Sequence, residues 1–167
     1  MFLSQPSAPR SKQTAALLIA AFAIATQGCS KHDGLERAPI NGVVTIGGQP
    51  LADATIVFLP LGGSAAQGLG AVGASDAEGK FQVTSSRQDD PGIPPGEYVV
   101  VVNRWAEPDG KVIPPNAFQA DYPDARETIP PPYSTHSSPL RTTISKEGGD
   151  VKVEIPAKLR DPKKVRG

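Results

Sequence analysis

The order of apolar and polar residues after position 40 predicts short β-strands rather than helices. In Lys80–Ser85, Phe81 and Val83 alternate with polar neighbours. The segment 151–155 repeats this pattern, with two valines and an isoleucine separated by Lys152 and Glu154. Alternation with a period of two indicates a strand with one buried face. No window after the first 28 residues shows a helical period, which favours an all-β domain.

Turn residues separate seven such segments. The adjacent glycines Gly47 and Gly48 suit a two-residue hairpin loop, and the run from Asp76 to Gly79 suits a type I turn. Seven short strands bounded by turns predict a seven-stranded antiparallel β-sandwich. The predicted strands are 41–46, 54–59, 69–75 (a short or edge strand), 80–85, 97–104, 140–145 and 151–155.

One predicted strand departs from the one-sided pattern. The segment 97–104 is apolar on both faces, through Tyr98 and four consecutive valines, whereas a sandwich strand normally buries one face. A second layer must therefore cover it. The proline-rich loop 106–138 follows directly, and its aromatic residues Phe118, Tyr122 and Tyr133 indicate that it folds back onto the domain. Loops of this length are often functional.

Residues 1–28 are typical of a secretory signal peptide. Arg10 and Lys12 precede an apolar run over 14–26, which is shorter than the roughly 20 residues that a transmembrane helix needs. Gly28 and Cys29 end this run and resemble the bacterial lipobox, in which the cysteine is lipidated and becomes the new N-terminus. An ordinary signal-peptidase site is the alternative. The lipobox resemblance, with Ser30 next in the chain, implies a lipid anchor in the cell envelope, in the outer membrane facing the periplasm.

These features divide the chain into four parts. A tether over 29–38 follows the signal peptide, the β domain spans 39–156, and a basic tail spans 157–167. The tail carries five basic residues against Asp161. It is therefore expected to be disordered, and to lie near anionic lipid or a wall polymer.

The charge balance and the cysteine count bear on the partner and on possible cross-links. Without its first 28 residues the chain has 15 basic and 17 acidic side chains, a balance that argues against a nucleic-acid partner. Cys29 is the one cysteine, so no internal disulfide can form.

Candidate catalytic and metal-binding groups are few. His136 lies in a Ser/Thr/Pro-rich loop without a recognised catalytic motif, and zinc would need several His or Cys ligands. Carboxylates in two loops would offer calcium ligands if those loops met. Their spacing matches no known calcium-binding loop, however, and favours the alternative that one segment is an ordinary turn and the other a solvated loop. These carboxylates are Asp76, Glu78, Asp89 and Asp90. We therefore expect no enzyme activity, no metal and no cofactor.

Three aromatic residues offer a binding surface. Trp105, Tyr122 and Tyr133 lie in or beside the long loop, where rings can form a platform for sugar or peptide. The same rings can serve as anchors that attach the loop to the domain, and this is the interpretation that the sequence favours.

Several motifs together carry a resemblance to a known family. Gly48-Gln49-Pro50-Leu51, Asp76 with Gly79 and Phe81, and Pro95-Gly96-Glu97-Tyr98 resemble the carboxypeptidase-regulatory-like, or transthyretin-like (prealbumin-like), β-sandwich. That resemblance implies a Greek-key sandwich in an envelope lipoprotein, used as a binding or structural module. The expected partners are the membrane, through the N-terminal lipid, and an envelope protein or polysaccharide. A carbohydrate- or peptide-binding module that uses Trp105 and the loop 106–138 is the alternative, and a hydrolase ranks below both.

Overall fold

The computed structural model describes residues 35–62, 70–85 and 91–165. Within these ranges the chain is all-β, with one short 3-10 turn, Gln119–Asp121, in the long loop. The strands are β1 (Ile40–Ile46), β2 (Gln49–Pro50), β3 (Thr55–Pro60), β4 (Ala71–Ala74), β5 (Lys80–Ser85), β6 (Gly96–Asn103), β7 (Trp105–Ala106), β8 (Arg126–Glu127), β9 (Arg141–Ile144) and β10 (Gly149–Ile155).

The seven longer strands match the seven predicted ones and join in one curled sheet. Its order is β10-β1-β5-β4-β3-β6-β9, with β2 paired to β1. Strand β5 connects the two halves, because Lys80 to Gln82 pair with β1 whereas Val83 to Ser85 pair with β4. The sheet can therefore curl at β5 around one core, an arrangement consistent with a sandwich.

The prediction of a fully antiparallel sheet is wrong at one pair of strands. β1 and β10 run parallel, from Ile40 opposite Gly149 to Ile46 opposite Ile155. Alternation within each strand determines which face is buried but not the direction of its neighbour, so the sequence could not reveal this pairing. Of the two alternatives predicted for 69–75, the structure has the short strand and not the edge strand, since β4 has four residues and lies between β3 and β5.

The core fills the concave side of the sheet. Phe58, on β3, is fully buried, and its ring centroid lies 6.1 Å from that of Phe81 and 6.2 Å from that of Tyr98. The Tyr98 hydroxyl donates a hydrogen bond to the carbonyl of Pro94, at 2.7 Å. This bond satisfies the one polar atom that the tyrosine side chain brings into the core, where an unmade hydrogen bond is costly.

Two tight turns confirm the turn predictions. Gly47 and Gly48 both have positive φ, at 56° and 78°, which the two-residue hairpin between β1 and β2 requires. At the second turn, Oδ1 of Asp76 accepts hydrogen bonds from the backbone N–H groups of Glu78 and Lys80, at 3.0 and 2.8 Å. This carboxylate therefore sets the register of the β4–β5 hairpin.

Strand β6 is buried on both faces, as predicted. Val100 and Val102 belong to the main core, whereas Val99 and Val101 face the other way and are also buried. Beside that outer face, Pro115 and Asn116 of the long loop border a groove on the outer side of β3, β4 and β5.

The long loop and the C-terminal segment are more regular than expected. β7 and β8 form a two-stranded ribbon within the loop. The C-terminal segment, residues 157–165, was predicted to be disordered, but it contacts the domain: the N–H of Arg160 donates to the carbonyl of Thr128 at 2.8 Å, and Ala157 packs against the core. Within the described ranges, no helix is long and apolar enough to cross a bilayer.

Candidate functional site

A pocket of about 360 Å³ lies where β3 begins and β6 ends, beneath the long loop. Trp105 and Tyr122 line it, together with the loop residues Ile113, Pro114, Pro115, Ala117 and Ala125. Its polar lining residues are Asp53, Thr55, Asn103, Arg104 and Gln119. The pocket therefore combines aromatic walls with side chains that offer both hydrogen-bond donors and acceptors.

Arg104 is the cationic group of the pocket, and it is held in place by the backbone. Its Nε donates to the carbonyl of Ala52 at 2.9 Å. Burial lowers its pKa, and the nearby charges of Asp53 and Glu127 act in the opposite direction. Arginine stays protonated in proteins, so this guanidinium is a fixed positive group on the pocket wall.

Asp53 reaches the pocket through an unusual backbone conformation. Its φ of 54° lies in the left-handed region, which aspartate tolerates better than most residues. Its N–H donates to the carbonyl of Ser75 at 3.2 Å, which ties the turn before β3 to the end of β4. Asp53 is exposed, so its carboxylate remains open to a ligand.

Glu127 organises the backbone behind the pocket. Its Oε1 accepts hydrogen bonds from the N–H groups of Arg104, at 3.1 Å, and Ile129, at 2.7 Å, and its Oε2 accepts one from Nδ2 of Asn103, at 2.8 Å. Burial raises the pKa of Glu127, although these hydrogen bonds act to lower it. The Glu127 carboxylate therefore holds the end of β6 in place, together with Arg104, which follows the strand and precedes Trp105.

The two pocket aromatics are placed by local hydrogen bonds. Trp105 pairs with Glu127 across the ribbon, and its carbonyl accepts a hydrogen bond from Ile113 at 2.9 Å. The N–H of Tyr122 donates to the carbonyl of Gln119 at 3.0 Å, which closes the 3-10 turn. The structure thus brings together two of the three aromatic residues that the sequence singled out.

Tyr133, the third candidate, does not line the pocket. It packs against the main core, and its carbonyl accepts a hydrogen bond from the N–H of Val102 at 3.0 Å. Tyr133 therefore lies apart from this pocket, in the position expected of a loop anchor, and a ligand-binding role for it stays a prediction.

Phe118 behaves in the opposite way. The sequence predicted that it folds back onto the domain, yet its side chain is 79% exposed. Its chain neighbours Ala117 and Gln119 both line the pocket, whereas the ring of Phe118 itself is in contact with water.

Asp53 and Arg104 are the residues that sequence reasoning missed. The available signal was weak: Arg104 directly follows the most apolar strand, where a strand normally ends, and Asp53 lies among small turn residues. Neither position alone indicates a pocket, because the two meet only through the pairing of Thr55 with Asn103.

The other candidate residues do not form a site in the described structure. Cys29, Asp89 and Asp90 lie outside the described residues. His136 is exposed in its loop, and Asp76 uses its carboxylate within its own turn. Over the ranges 35–62, 70–85 and 91–165, no three His, Cys, Asp or Glu side chains gather as a metal site would require.

The pocket is equipped to hold a ligand by stacking and hydrogen bonding. Among the described residues that line it, Asp53 supplies the one carboxylate, and none is a histidine, cysteine or lysine. No family model, curated protein or solved structure matches the chain. The proposals below therefore rest on the residues and their geometry.

Proposed function

We propose that the chain is an exported, lipid-anchored envelope protein whose single β domain is a binding module, and that it holds a saccharide in the pocket at Trp105. The observation that carries this proposal is that Trp105 and Tyr122 line one pocket while Phe118 stands exposed beside it. Because its ring is exposed and its chain neighbours line the pocket, Phe118 is available to contact a ligand held there.

The chemistry of the pocket favours a sugar. An indole face packs against the C–H groups of a pyranose ring, as apolar surfaces in general associate in water. The hydroxyl groups around such a ring each donate and accept a hydrogen bond. The pocket offers Asp53 as an acceptor, Arg104 as a donor and Gln119 as both, while Asn103 offers its Oδ1 as an acceptor because its Nδ2 already donates to Glu127 and Ser134. A volume of about 360 Å³ lies within the range of small-molecule sites.

The proposed location in the cell envelope rests on residues 1–30. The apolar run over 14–26 is followed closely by Gly28 and Cys29, which supports lipidation, and Ser30 after the cysteine supports an outer-membrane location facing the periplasm. The curled all-β sheet supports the finer hypothesis of a transthyretin-like sandwich, although the parallel pairing of β1 with β10 is a feature that hypothesis must accommodate.

Two further functions remain as alternatives. A peptide would also use aromatic walls and side-chain amides, and it is favoured if the pocket binds peptides and no glycan. A purely structural module would bind neither. A hydrolase ranks lower, because the described lining residues lack a nucleophile paired with a base.

A glycan array probed with the purified mature protein tests the proposal. Trp105→Ala and Phe118→Ser should each weaken binding of the selected glycan roughly tenfold or more, since a loss of about 1.4 kcal/mol corresponds to tenfold. Phe118→Ser is the cleaner variant because the exposed ring of Phe118 makes little contribution to folding.

Val43→Thr provides the matched control. Val43 is also exposed, at 38%, but lies on β1 and does not line the pocket, so this change should leave glycan binding intact. Binding of no glycan at all, or binding unchanged in Phe118→Ser and Trp105→Ala, would contradict the proposal. The anchor is tested separately by radiolabelled palmitate, whose incorporation should be lost in Cys29→Ser.

A further inference from the structure

A groove of about 350 Å³ adjoins the pocket, on the outer side of β3, β4 and β5. Its volume is close to that of the pocket, which is about 360 Å³. Thr55 and Pro115 line both the groove and the pocket. The two hollows therefore meet at these residues, and a ligand held in the pocket can continue into the groove.

The strand register sets the direction in which such a ligand would run. Thr55 is opposite Asn103 on one side and Ala74 on the other, and the register of β4 with β5 continues this row to Gln82. The row therefore crosses four strands, β6, β3, β4 and β5, at one level. Neighbouring strands lie about 4.8 Å apart, so a ligand that follows the row from Asn103 to Gln82 spans roughly 14 Å.

The polar side chains of the groove are hydroxyls and amides. Thr55 and Thr84 supply the hydroxyls, and Gln82 and Asn116 supply the amides. Each of these groups can both donate and accept hydrogen bonds. Nε2 of Gln82 donates to Oδ1 of Asn41, at 3.2 Å, and the side chains of Gln82, Thr84 and Asn116 are exposed. Their remaining polar groups are therefore open to a ligand.

The groove differs from the pocket in charge. None of the described residues that line the groove is ionisable, whereas Asp53 and Arg104 line the pocket. A polyanion such as a nucleic acid binds through Lys and Arg contacts along its length, and the described lining of the groove offers no such contact. Val72, which is 38% exposed, and Pro115 add apolar surface instead. This surface suits the C–H groups of an uncharged sugar ring.

A peptide would fit the groove less well than a sugar. Extended peptides commonly bind a sheet by adding a strand to its edge, where backbone N–H and C=O groups are free. β3, β4 and β5 each have a neighbouring strand on both sides, so most of their backbone groups are bonded within the sheet. The groove therefore offers side chains to a ligand, and their hydroxyls and amides match the hydroxyl groups of a sugar.

We propose that the groove is a second subsite for the ligand of the pocket, so that the domain binds an uncharged, unbranched oligosaccharide laid across β6, β3, β4 and β5. This inference rests on the proposed saccharide-binding function and adds the class of sugar. The ligand is a chain longer than the pocket alone can hold. One unit lies at Trp105 and Tyr122, and the units that follow it lie over Thr55 and Ala74.

The dependence of affinity on glycan length tests the inference. The probes are β-1,4-linked oligomers of glucose and of N-acetylglucosamine, each as a dimer and as a hexamer, titrated calorimetrically into the purified mature protein. In at least one series the hexamer should bind roughly tenfold more tightly than the dimer, because only the hexamer reaches from the pocket into the groove.

Ala74→Ile should remove this difference between the two lengths. Ala74 is exposed on β4 and lines the groove but not the pocket. A β-branched side chain is favourable in a strand, and at this position it fills the floor of the groove. The affinity for the hexamer should fall to about that for the dimer, while the affinity for the dimer stays unchanged.

Two further variants complete the test. Asn116→Ala removes an exposed amide from the loop side of the groove and should weaken binding of the hexamer alone, whether or not β4 tolerates an isoleucine. Thr143→Ile is the matched control, because Thr143 is exposed on β9 and lines neither the groove nor the pocket. It should leave the affinities for both lengths unchanged.

The outcomes separate this inference from the function on which it rests. Equal affinities of the natural protein for dimer and hexamer would overturn the inference, as would a failure of all four oligomers to bind. It would also be overturned if Ala74→Ile and Asn116→Ala bound the hexamer normally, if they weakened the dimer as much as the hexamer, or if Thr143→Ile had the same effect. In each case the proposed function still stands if a glycan on the array requires Trp105 and Phe118, and only the absence of any such glycan overturns both.

Discussion

The core and the pocket of this domain are built from different interactions. In the core, apolar side chains on β1, β3, β5 and β6 pack against one another, and rings such as Phe58 are fully excluded from water. At the pocket, the loop residues Ala106, Ile113 and Ala125 are buried but lie outside that main cluster. Around the pocket the loop is connected to the sheet through hydrogen bonds of Glu127 and Thr128, whereas further along the chain Ile129 and Tyr133 join it to the main core.

The core and the pocket loop should therefore differ in how easily each of them opens. The stabilisation gained by burying an apolar ring scales with the buried area and does not depend on one atom. The part of the loop that is bonded to Glu127 depends instead on every hydrogen bond that this carboxylate accepts. The core should therefore unfold as one unit. The pocket loop can open locally while the sheet stays intact, as ligand-binding regions often do.

Truncating the core ring should have the largest effect on stability. Phe58→Ala removes the ring between Phe81 and Tyr98 and should lower the free energy of unfolding by about 3–5 kcal/mol, a large share of the stability of a small domain. Guanidinium chloride unfolding followed by circular dichroism measures this loss. A loss below about 1 kcal/mol would show that the core is not the main source of stability.

The sequence was informative wherever local pattern decides structure. Alternation in Lys80–Ser85 predicted which residues face the core, and Asp76 and Gly79 predicted their turn. The burial of Val99 and Val101 followed from a run of valines with no polar face. Each of these conclusions depends on neighbours within about six residues, and each is confirmed.

The sequence was uninformative wherever distant segments meet. The parallel partner of β1 lies more than 100 positions away, and nothing in its own pattern of residues encodes that direction. The pocket likewise forms only because Asp53 and Arg104, which lie far apart in the sequence, come together. The composition of the tail predicts disorder and gives no sign of the contact between Arg160 and Thr128. The long loop had no period because its order comes from Glu127 and not from repeated apolar residues.

Removing the carboxylate should loosen the pocket loop and leave the core in place. Glu127→Ala leaves the N–H groups of Arg104 and Ile129 without this acceptor and removes one of the two acceptors of the Asn103 amide. An unsatisfied buried group costs about 1–3 kcal/mol. We expect a loss of about 2 kcal/mol. Faster hydrogen exchange should appear at the amides of Ile113 and Thr128 but not along β5.

Glu107→Ala is the matched control for this change. Glu107 lies in the same loop, and its pair with Lys111 is solvated, with the lysine 66% exposed. Such a pair contributes about 0–0.5 kcal/mol, so exchange at Ile113 and Thr128 should stay near that of the unmodified protein. Equal acceleration by Glu107→Ala and Glu127→Ala would contradict the special role of Glu127, and so would acceleration that spreads to β5.

The smallest expected effect is on the pH dependence of the same loop. Burial raises the pKa of Glu127 above its ordinary value of 4.5, so the folded protein binds this proton more readily than the unfolded chain. The resulting stabilisation is fully present below the unfolded pKa and is lost as the pH rises through the folded pKa.

The Glu127→Gln variant serves as the reference for this measurement, because glutamine cannot titrate at this position. The unfolding free energy of the natural protein relative to Glu127→Gln should therefore fall over the interval that begins near the ordinary pKa of 4.5 and ends above the raised pKa of the folded state. A relative stability that rises over this interval would mean that the N–H donors, rather than burial, control the carboxylate.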